Sequence, residues 1–536
     1  MSPRAACASA ASCSTPVAEF DLGAEEAAGR GARTSGLGRI LAVGFSAHFL
    51  IALVNVLATP FLLKLMGAEA YGLVAFFLVL QAWMLLFDLG VSPAVARQLS
   101  RFRAGALAAQ DAAAIFAAAE VAFVVAGLTG GAVLIAAAPW IGGHWLHRAA
   151  LTPGVLDLSL RLLAALLVFR WLAGLYQSAL VGLERQNLAN SVAATSVVLR
   201  YSASVAALVF IAGTPVVFFA VQAAFTLAEA VVSRWLLAGA LPKRPRGARP
   251  GWRLLTGEFR FALGLTLAST AATLTSQADR LALSHALPLA DFGLFGLVVQ
   301  VCAGITLVAP PFVQAFQPRL TALLAQGQRA DFVHVYRLAG GLILALAAGL
   351  AGTIAARPVW VIWAWTGRAD AAAHLAPVLT LYAAGGAIAA FLYVPFLLQY
   401  ALGRVRLHVI GVAGFAVVWA PAAVWAAFAY GPIGTGVVWL AGNLLYLLLW
   451  VPVIHARLLA PGERRGLDVG VWLRGAILAA LLTAIRFAPI GPLSRPAALL
   501  GLAAVSIAIT LIGAALSPEA REFASHALAR LGARRR

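Results

Sequence analysis

The chain has 536 residues, 62% of them hydrophobic and 11% charged, with a mean hydropathy of +0.91. An ordinary soluble domain carries about 25% charged residues, so these values exclude a soluble globular protein and indicate a polytopic membrane protein. The net charge of +19 would suggest nucleic acid in a soluble chain, but in a membrane protein it first reports topology, because cytoplasmic loops collect Lys and Arg. No nucleic-acid partner is expected. Cys7, Cys13 and Cys302 supply neither a disulfide framework nor the ligand spacing of a zinc site.

Residues 1–37 are rich in Ala, Ser and Gly, mix Glu19, Asp21, Glu25 and Glu26 with Arg30 and Arg33, and show no sustained apolar period. They read as a disordered tail. The apolar run from about Ile40 to Leu63 is long enough to span a bilayer, and too long and too far from the N-terminus for a signal peptide. A window near 19 residues places about fourteen helices over 38–63, 70–91, 112–139, 155–182, 187–212, 215–239, 258–286, 291–316, 333–356, 372–402, 404–430, 434–458, 468–488 and 496–516. The chain is therefore all-α. The runs are continuous, not alternating, which excludes a transmembrane β-barrel.

The Pro-rich segment 241–257 carries Lys243, Arg244, Arg246, Arg249 and Arg253 and reads as a basic cytoplasmic linker, also suited to anionic lipid headgroups. It separates six-helix lobes over 38–240 and 258–458. A further helix pair occupies 459–516, and a basic tail 517–536. With a cytoplasmic N-terminus, about 29 Lys and Arg fall on the cytoplasmic side, 6 outside and 4 within helices, which accounts for all 39; the opposite orientation violates the positive-inside rule.

The lobes repeat each other. A shift of about 221 residues lays Tyr71-Gly72-Leu73 on Phe292-Gly293-Leu294. In the first helix His48, Asn55 and Thr59 share a face at i, i+7 and i+11, and the shift carries them to Ser269, Ser276 and Arg280 in the seventh. There a fuller polar stripe runs through Thr266, Ser269, Thr273, Ser276, Gln277 and Arg280. Six helices per lobe is an even number, so the repeat is parallel, the arrangement of transporters with a central cavity between lobes. Ser and Thr also serve helix packing, but the whole stripe with Arg280 favours cavity lining.

No nucleotide-binding GxxxxGK motif is present, nor HExxH, GxSxG or an exposed carboxylate pair. The longest external connections, around 140–154 and 357–371, hold His144, His147, Arg148, Arg368 and Asp370, which fit solvated loops better than a catalytic set. An enzyme is not expected, nor a cofactor or metal. The informative residues are ionisable ones at membrane depth, where a charge costs roughly 2.5–3.5 kcal/mol. Asp157 and Arg161 stand at i, i+4 and suit a local ion pair. Arg170, with Gln177 one heptad on, and Arg200 are central in the fourth and fifth helices; cavity cations are favoured, with pairing to Glu120 or Glu229 as the alternative. Asp279 points roughly 100° away from Arg280, towards a partner helix or the cavity's edge. Asp88, one heptad after Gln81, caps a helix near the Arg97–Arg103 cluster or faces the cavity. Pro310-Pro311 and Pro395 interrupt the eighth and tenth helices.

The runs Gly67-Ala-Glu-Ala-Tyr71-Gly72-Leu73, Asp88-Leu89-Gly90 with Arg97, Gly182-Leu-Glu-Arg-Gln-Asn187, and Gln277-Ala-Asp279-Arg280 through Phe292-Gly293 resemble bacterial polysaccharide-export flippases of the multidrug/oligosaccharidyl-lipid/polysaccharide (MOP) transporter superfamily. The likeness covers roughly residues 38–458. It implies two lobes around a cationic cavity and transfer of an undecaprenyl-pyrophosphate-linked oligosaccharide across the bacterial inner membrane, for O-antigen or exopolysaccharide assembly with polymerase and export partners. Under that implication Arg170, Arg200 and Arg280 meet the pyrophosphate, Asn55, Ser276 and Gln277 meet the sugars, and Asp88, Glu120 and Asp279 are the candidates for proton or sodium coupling. Rival readings are a cation-coupled multidrug antiporter of the same superfamily and a membrane glycosyltransferase or polymerase.

Overall fold

The structure, a computed structural model, describes residues 49–242, 250–257, 259–306, 309–489, 493–522 and 525. His48, the 1–37 tail and the basic residues from Lys243 to Arg249 lie outside them, as do the side chains of Thr266 and Ser269. The first half runs through α1 (Phe49–Met66), α2 (Ala68–Phe87), α3 (Val91–Arg103), α4 (Ala109–Trp140), α5 (Pro153–Gly182), α6 (Gln186–Phe210) and α7 (Pro215–Ala238). After the short α8 (Trp252–Gly257), the second half runs through α9 (Phe259–Ala286), α10 (Leu289–Thr306), α11 (Ala309–Ala325), α12 (Arg329–Ala347), α13 (Thr353–Ala356), α14 (Pro358–Thr366), α15 (Ala369–Phe391), α16 (Tyr393–Ala401), α17 (Arg406–Leu445) and α18 (Val451–Leu458). The last pair is α19 (Pro461–Phe487) and α20 (Arg495–Ala515). There is no β-strand among the described residues, and ten helical stretches are long and apolar enough to cross a membrane.

Local chemistry explains the boundaries. Prolines open α5, α7 and α19, where the missing N–H is not needed, and the Thr214 side chain accepts from Val217 N at the start of α7. Pro395 faces the carbonyl of Phe391 four residues back, and the helix breaks at Leu392 between α15 and α16. Gly431, at φ 60° and ψ −148°, makes the sharp bend inside α17 that separates its two legs. The bilayer-facing surface is apolar, with Phe210, Val417 and Trp425 exposed.

The halves meet backbone to backbone at the repeat motif. A Cβ on Gly72 would lie 2.2 Å from Leu289 O, and one on Gly293 would lie 2.3 Å from Ala68 O and 2.8 Å from Gly72 N. Residues equivalent by the repeat thus touch each other, as expected close to a two-fold axis. The same end of the bundle is stapled by the connection after α4. Glu69 accepts from the backbone N–H groups of Ala149, Ala150 and Leu151 at 2.7, 2.7 and 3.3 Å, and His147 O accepts from Leu289 N at 2.8 Å. Trp145 Nε1 donates to Ser284 Oγ at 3.0 Å.

Three details differ from the sequence reading. The connection around 357–371 is not a plain loop, because apolar Pro358–Thr366 forms α14. Helix α19 begins seven residues earlier than expected, with Glu463 bonded to Arg329 Nε at 2.8 Å. The start of the 517–536 tail is packed: Ser517 is fully buried and Glu519 lies 3.9 Å from Arg474.

Candidate substrate cavity

In the first half, α5, α6 and α7 bring two arginines to one carboxylate. Arg170 Nη1 lies 3.2 Å from Glu229 Oε2, and Arg200 Nη1 lies 3.8 Å from the same oxygen and 3.1 Å from Thr226 Oγ1. Gln177 Nε2 and Ser196 Oγ also donate to Glu229, the latter at 2.6 Å. Four side chains from α5 and α6 therefore surround a carboxylate on α7 that has no solvent exposure. The arginines do pair across helices, with Glu229; Glu120 instead takes Arg234. Pairing and cavity lining are not exclusive. Arg170 keeps 29% of its side chain exposed and borders two cavities, one of about 470 Å³ with Gln81, Asp88 and Gln177, and one of about 130 Å³ with Asn55, Gln81, Arg200 and Gln222.

Arg280 sits on α9 between the halves. Its Nη1 donates to Gln277 Oε1 at 3.1 Å, and it forms no ion pair closer than 4.0 Å among the described residues. Arg280 and Gln277 border a cleft of about 60 Å³ whose other wall is Tyr71, Ala75 and Leu78 of α2. Leu78 borders all three spaces, so Arg170, Arg200 and Arg280 line cavities that adjoin one side chain. The Nε atoms of Arg200 and Arg280 are buried with no hydrogen-bond partner among the described residues. A buried donor left unmet costs roughly 1–3 kcal/mol, so both guanidiniums retain unspent capacity for an acceptor.

The carboxylates occupy different settings. Asp88 Oδ1 accepts from Ser92 N and Ser92 Oγ, both at 3.0 Å, across the turn into α3; it caps the helix and borders the larger cavity together. Asp279 is buried, accepts from Arg280 N at 2.8 Å and takes the Tyr382 hydroxyl, itself 3.1 Å from Thr435 Oγ1. It thus binds a partner helix and borders none of these cavities. Asp157 and Arg161 form the local pair expected, at 2.7 Å.

Of the six residues expected to meet substrate, Arg170, Arg200, Arg280, Asn55 and Gln277 line the adjoining cavities, while Ser276 opens on a separate pocket in the second half. Asn55 Nδ2 is held by Ile51 O at 2.7 Å. Gln222, bonded to Ser204 at 3.1 Å, and Gln81 join the lining without having been singled out as binders. The motif runs prove largely architectural: a Cβ on Gly182 would lie 2.4 Å from Ala96 O, and Ser100 Oγ donates to Gly182 O at 3.0 Å.

A helical membrane protein with repeat-related halves and buried or half-buried arginines lining its cavities has the makings of a transporter. The family described as "Polysaccharide biosynthesis protein" matches residues 38–324, more than half of the chain, and the chain belongs to that family. Its fold is that of the MOP transporters. It resembles the lipid II flippase MurJ in an inward closed conformation with a TM-score of 0.67 at 10% identity, over 89% of this chain and 98% of that one. It also resembles an inward-facing multidrug resistance MATE family transporter, with a TM-score of 0.58 at 15% identity over 79% and 99%. A MOP superfamily transporter from Pyrococcus furiosus, described as having a binding pocket of reversed polarity, gives 0.52 at 16% over 78% and 94%. No curated protein matches the chain in sequence.

Proposed function

We propose that the protein is a flippase for a lipid-linked oligosaccharide on an undecaprenyl-pyrophosphate carrier, moving it from the inner to the outer leaflet of a bacterial inner membrane for cell-surface polysaccharide synthesis, without catalysis. The observation that carries this reading is the placement of Arg170, Arg200 and Arg280 on three cavities that share Leu78 as a wall. A pyrophosphate crossing the bilayer needs charged donors in a low-dielectric setting, where charge-assisted hydrogen bonds are strongest. The family name and the likeness to a lipid II flippase point the same way. Asn55 and Gln277 serve the saccharide. The prenyl chain fits a groove of about 660 Å³ between α12, α15 and α19, lined chiefly by Ala, Gly and Leu.

In this reading fourteen helices span the membrane with both termini cytoplasmic, so the stapled end at Glu69 and Leu289 is external. The arginine cavities are loaded from the cytoplasm, and the halves rock about the Gly72–Gly293 contact. An inside-negative potential drives an anion outward by about 2.3 kcal/mol per charge per 100 mV, and Asp88, Glu120 and Asp279 are the residues offered for ion coupling. The multidrug antiporter stands as the second reading, because Asp88 borders the same cavity as Arg170. Reconstituted proteoliposomes separate the two. The flippase reading expects outer-leaflet arrival of polyprenyl-diphosphate oligosaccharide and no cation-driven dye uptake; dye transport without lipid movement would replace it.

A further inference from the structure

The second half contains a cavity of about 290 Å³ bordered by Gln399, His408, Trp419, Trp439, Asn443 and Tyr446 among others. The 221-residue shift relates it to the arginine cavity of the first half: Asn55, Phe218 and Gln222 there correspond to Ser276, Trp439 and Asn443 here. Equivalent register positions thus build a space in each half. The chemistry has diverged, since among the described residues no Asp, Glu, Lys or Arg borders the second space. Every residue that borders it is buried or half-buried.

We propose that this pocket seats a neutral sugar ring of the transported glycan, and the proposal rests on the flippase reading above. The indole faces are held by the backbone. A Cβ on Gly442 would lie 1.9 Å from Trp419 Nε1, and one on Gly385 2.4 Å from Trp439 Cδ1, so both tryptophans sit in glycine notches. Trp419 Nε1 donates to Val438 O at 2.7 Å, and Trp439 stacks on Tyr382 at 16°. Preset aromatic planes offer an apolar ring face a surface without further ordering.

Gln399 supplies the polar argument. The residue is 1% exposed, its Nε2 donates to Pro395 O at 3.1 Å, and its Oε1 is buried without a partner among the described residues. A buried acceptor in that state is costly until a donor arrives. A hydrocarbon chain brings no donor and an anion repels the acceptor, whereas a sugar hydroxyl donates to it while the ring stacks. The volume lies at the lower edge of the roughly 300–1,000 Å³ of ligand pockets, room for a single ring. Ser276 faces this pocket and the next residue, Gln277, faces the Arg280 cleft. Helix α9 therefore borders this pocket at Ser276 and the Arg280 cleft one residue on, so the two spaces flank the same helix.

The test is equilibrium binding of polyprenyl diphosphate to the full chain in nanodiscs, bare or bearing glucose, galactose or N-acetylglucosamine. Wild type is expected to bind at least one glycosylated lipid about tenfold more tightly than the bare lipid, the weight of about one net hydrogen bond. Gln399→Leu and Trp439→Phe are expected to lose that advantage and keep bare-lipid affinity. Asn443→Leu, away from the buried Gln399, provides a second reading if either variant melts early. No advantage for any of the three sugars, or an advantage kept in the variants, overturns the proposal while leaving the flippase reading intact. Rhodamine 6G binding lost in the same variants overturns it in favour of a drug pocket. Failure of wild type to bind even the bare lipid removes the flippase reading and this proposal with it.

Discussion

The two halves of this membrane protein place cavities at corresponding points and fill them differently. In the first, Arg170 and Arg200 close on Glu229; in the second, Trp439 and Asn443 stand at the positions of Phe218 and Gln222, and no Asp, Glu, Lys or Arg among the described residues lines the cavity. A duplicated helical frame fixes which register positions look inward, and substitution at those positions then assigns the chemistry. Charge and stacking need different surroundings. The arginines need a carboxylate and hydrogen-bonding neighbours to survive burial, whereas the indoles need glycine notches.

The sharpest way to break the contrast is to remove the carboxylate. Glu229→Ala leaves two guanidiniums facing each other in a buried site, and loss of one partner of a buried ion pair typically costs about 3–5 kcal/mol. A large fall in melting temperature of the purified protein is expected, with Glu229→Gln falling less because Ser196 and Gln177 keep hydrogen-bonding partners. A melting temperature equal to wild type in both would mean that the three-helix cluster is not structural. The next effect lies at the seam between the halves. Gly293→Val drives a side chain into Ala68 O and Gly72 N, and overpacking costs about 1–3 kcal/mol or more; lower stability and lost transport are expected, with Gly304→Ala, which meets nothing within 4 Å, as the neutral control.

The smallest effect concerns the helix pair appended to the second half. Arg329 holds the Glu463 carboxyl below its ordinary range by hydrogen bonding. A carboxyl with a depressed folded-state pKa stabilises the fold above its unfolded value, near pH 4.3, and that contribution fades as pH falls through the depressed value. Exposure keeps the effect small. The melting-temperature difference between wild type and Glu463→Gln is expected to shrink as pH is lowered from 6 through the carboxylate range, and a difference independent of pH would contradict the clasp.

Much of this was legible in the sequence, and for identifiable reasons. Hydropathy gives the helices, and the match of Tyr71-Gly72 to Phe292-Gly293 marks the seam at which repeat-related residues touch. Arg170, Arg200 and Arg280 stand out because burying charge is expensive. What could not be read was the choice of Glu229 over Glu120 as the shared partner, because that depends on how α5, α6 and α7 rotate against one another. The aromatic pocket was also hidden. A tryptophan in an apolar helix looks the same in sequence whether it faces lipid, as Trp425 does at 62% exposure, or a cavity, as Trp439 does. The shift applied to Phe218 and Gln222 contains the missing signal, but only after the first cavity is known. Glu69 escaped because its three acceptor contacts are to backbone N–H groups far along the chain.

The central claim is that the cavity-lining arginines handle an anionic head as it crosses. Arg280 tests it most directly, since it forms no ion pair within 4.0 Å among the described residues and borders the cleft between the halves. In proteoliposomes containing polyprenyl-diphosphate oligosaccharide, Arg280→Gln at wild-type folding and insertion is expected to abolish outer-leaflet arrival, with Arg280→Lys retaining part of it. Wild-type flipping by Arg280→Gln would contradict the account and leave that arginine a packing residue.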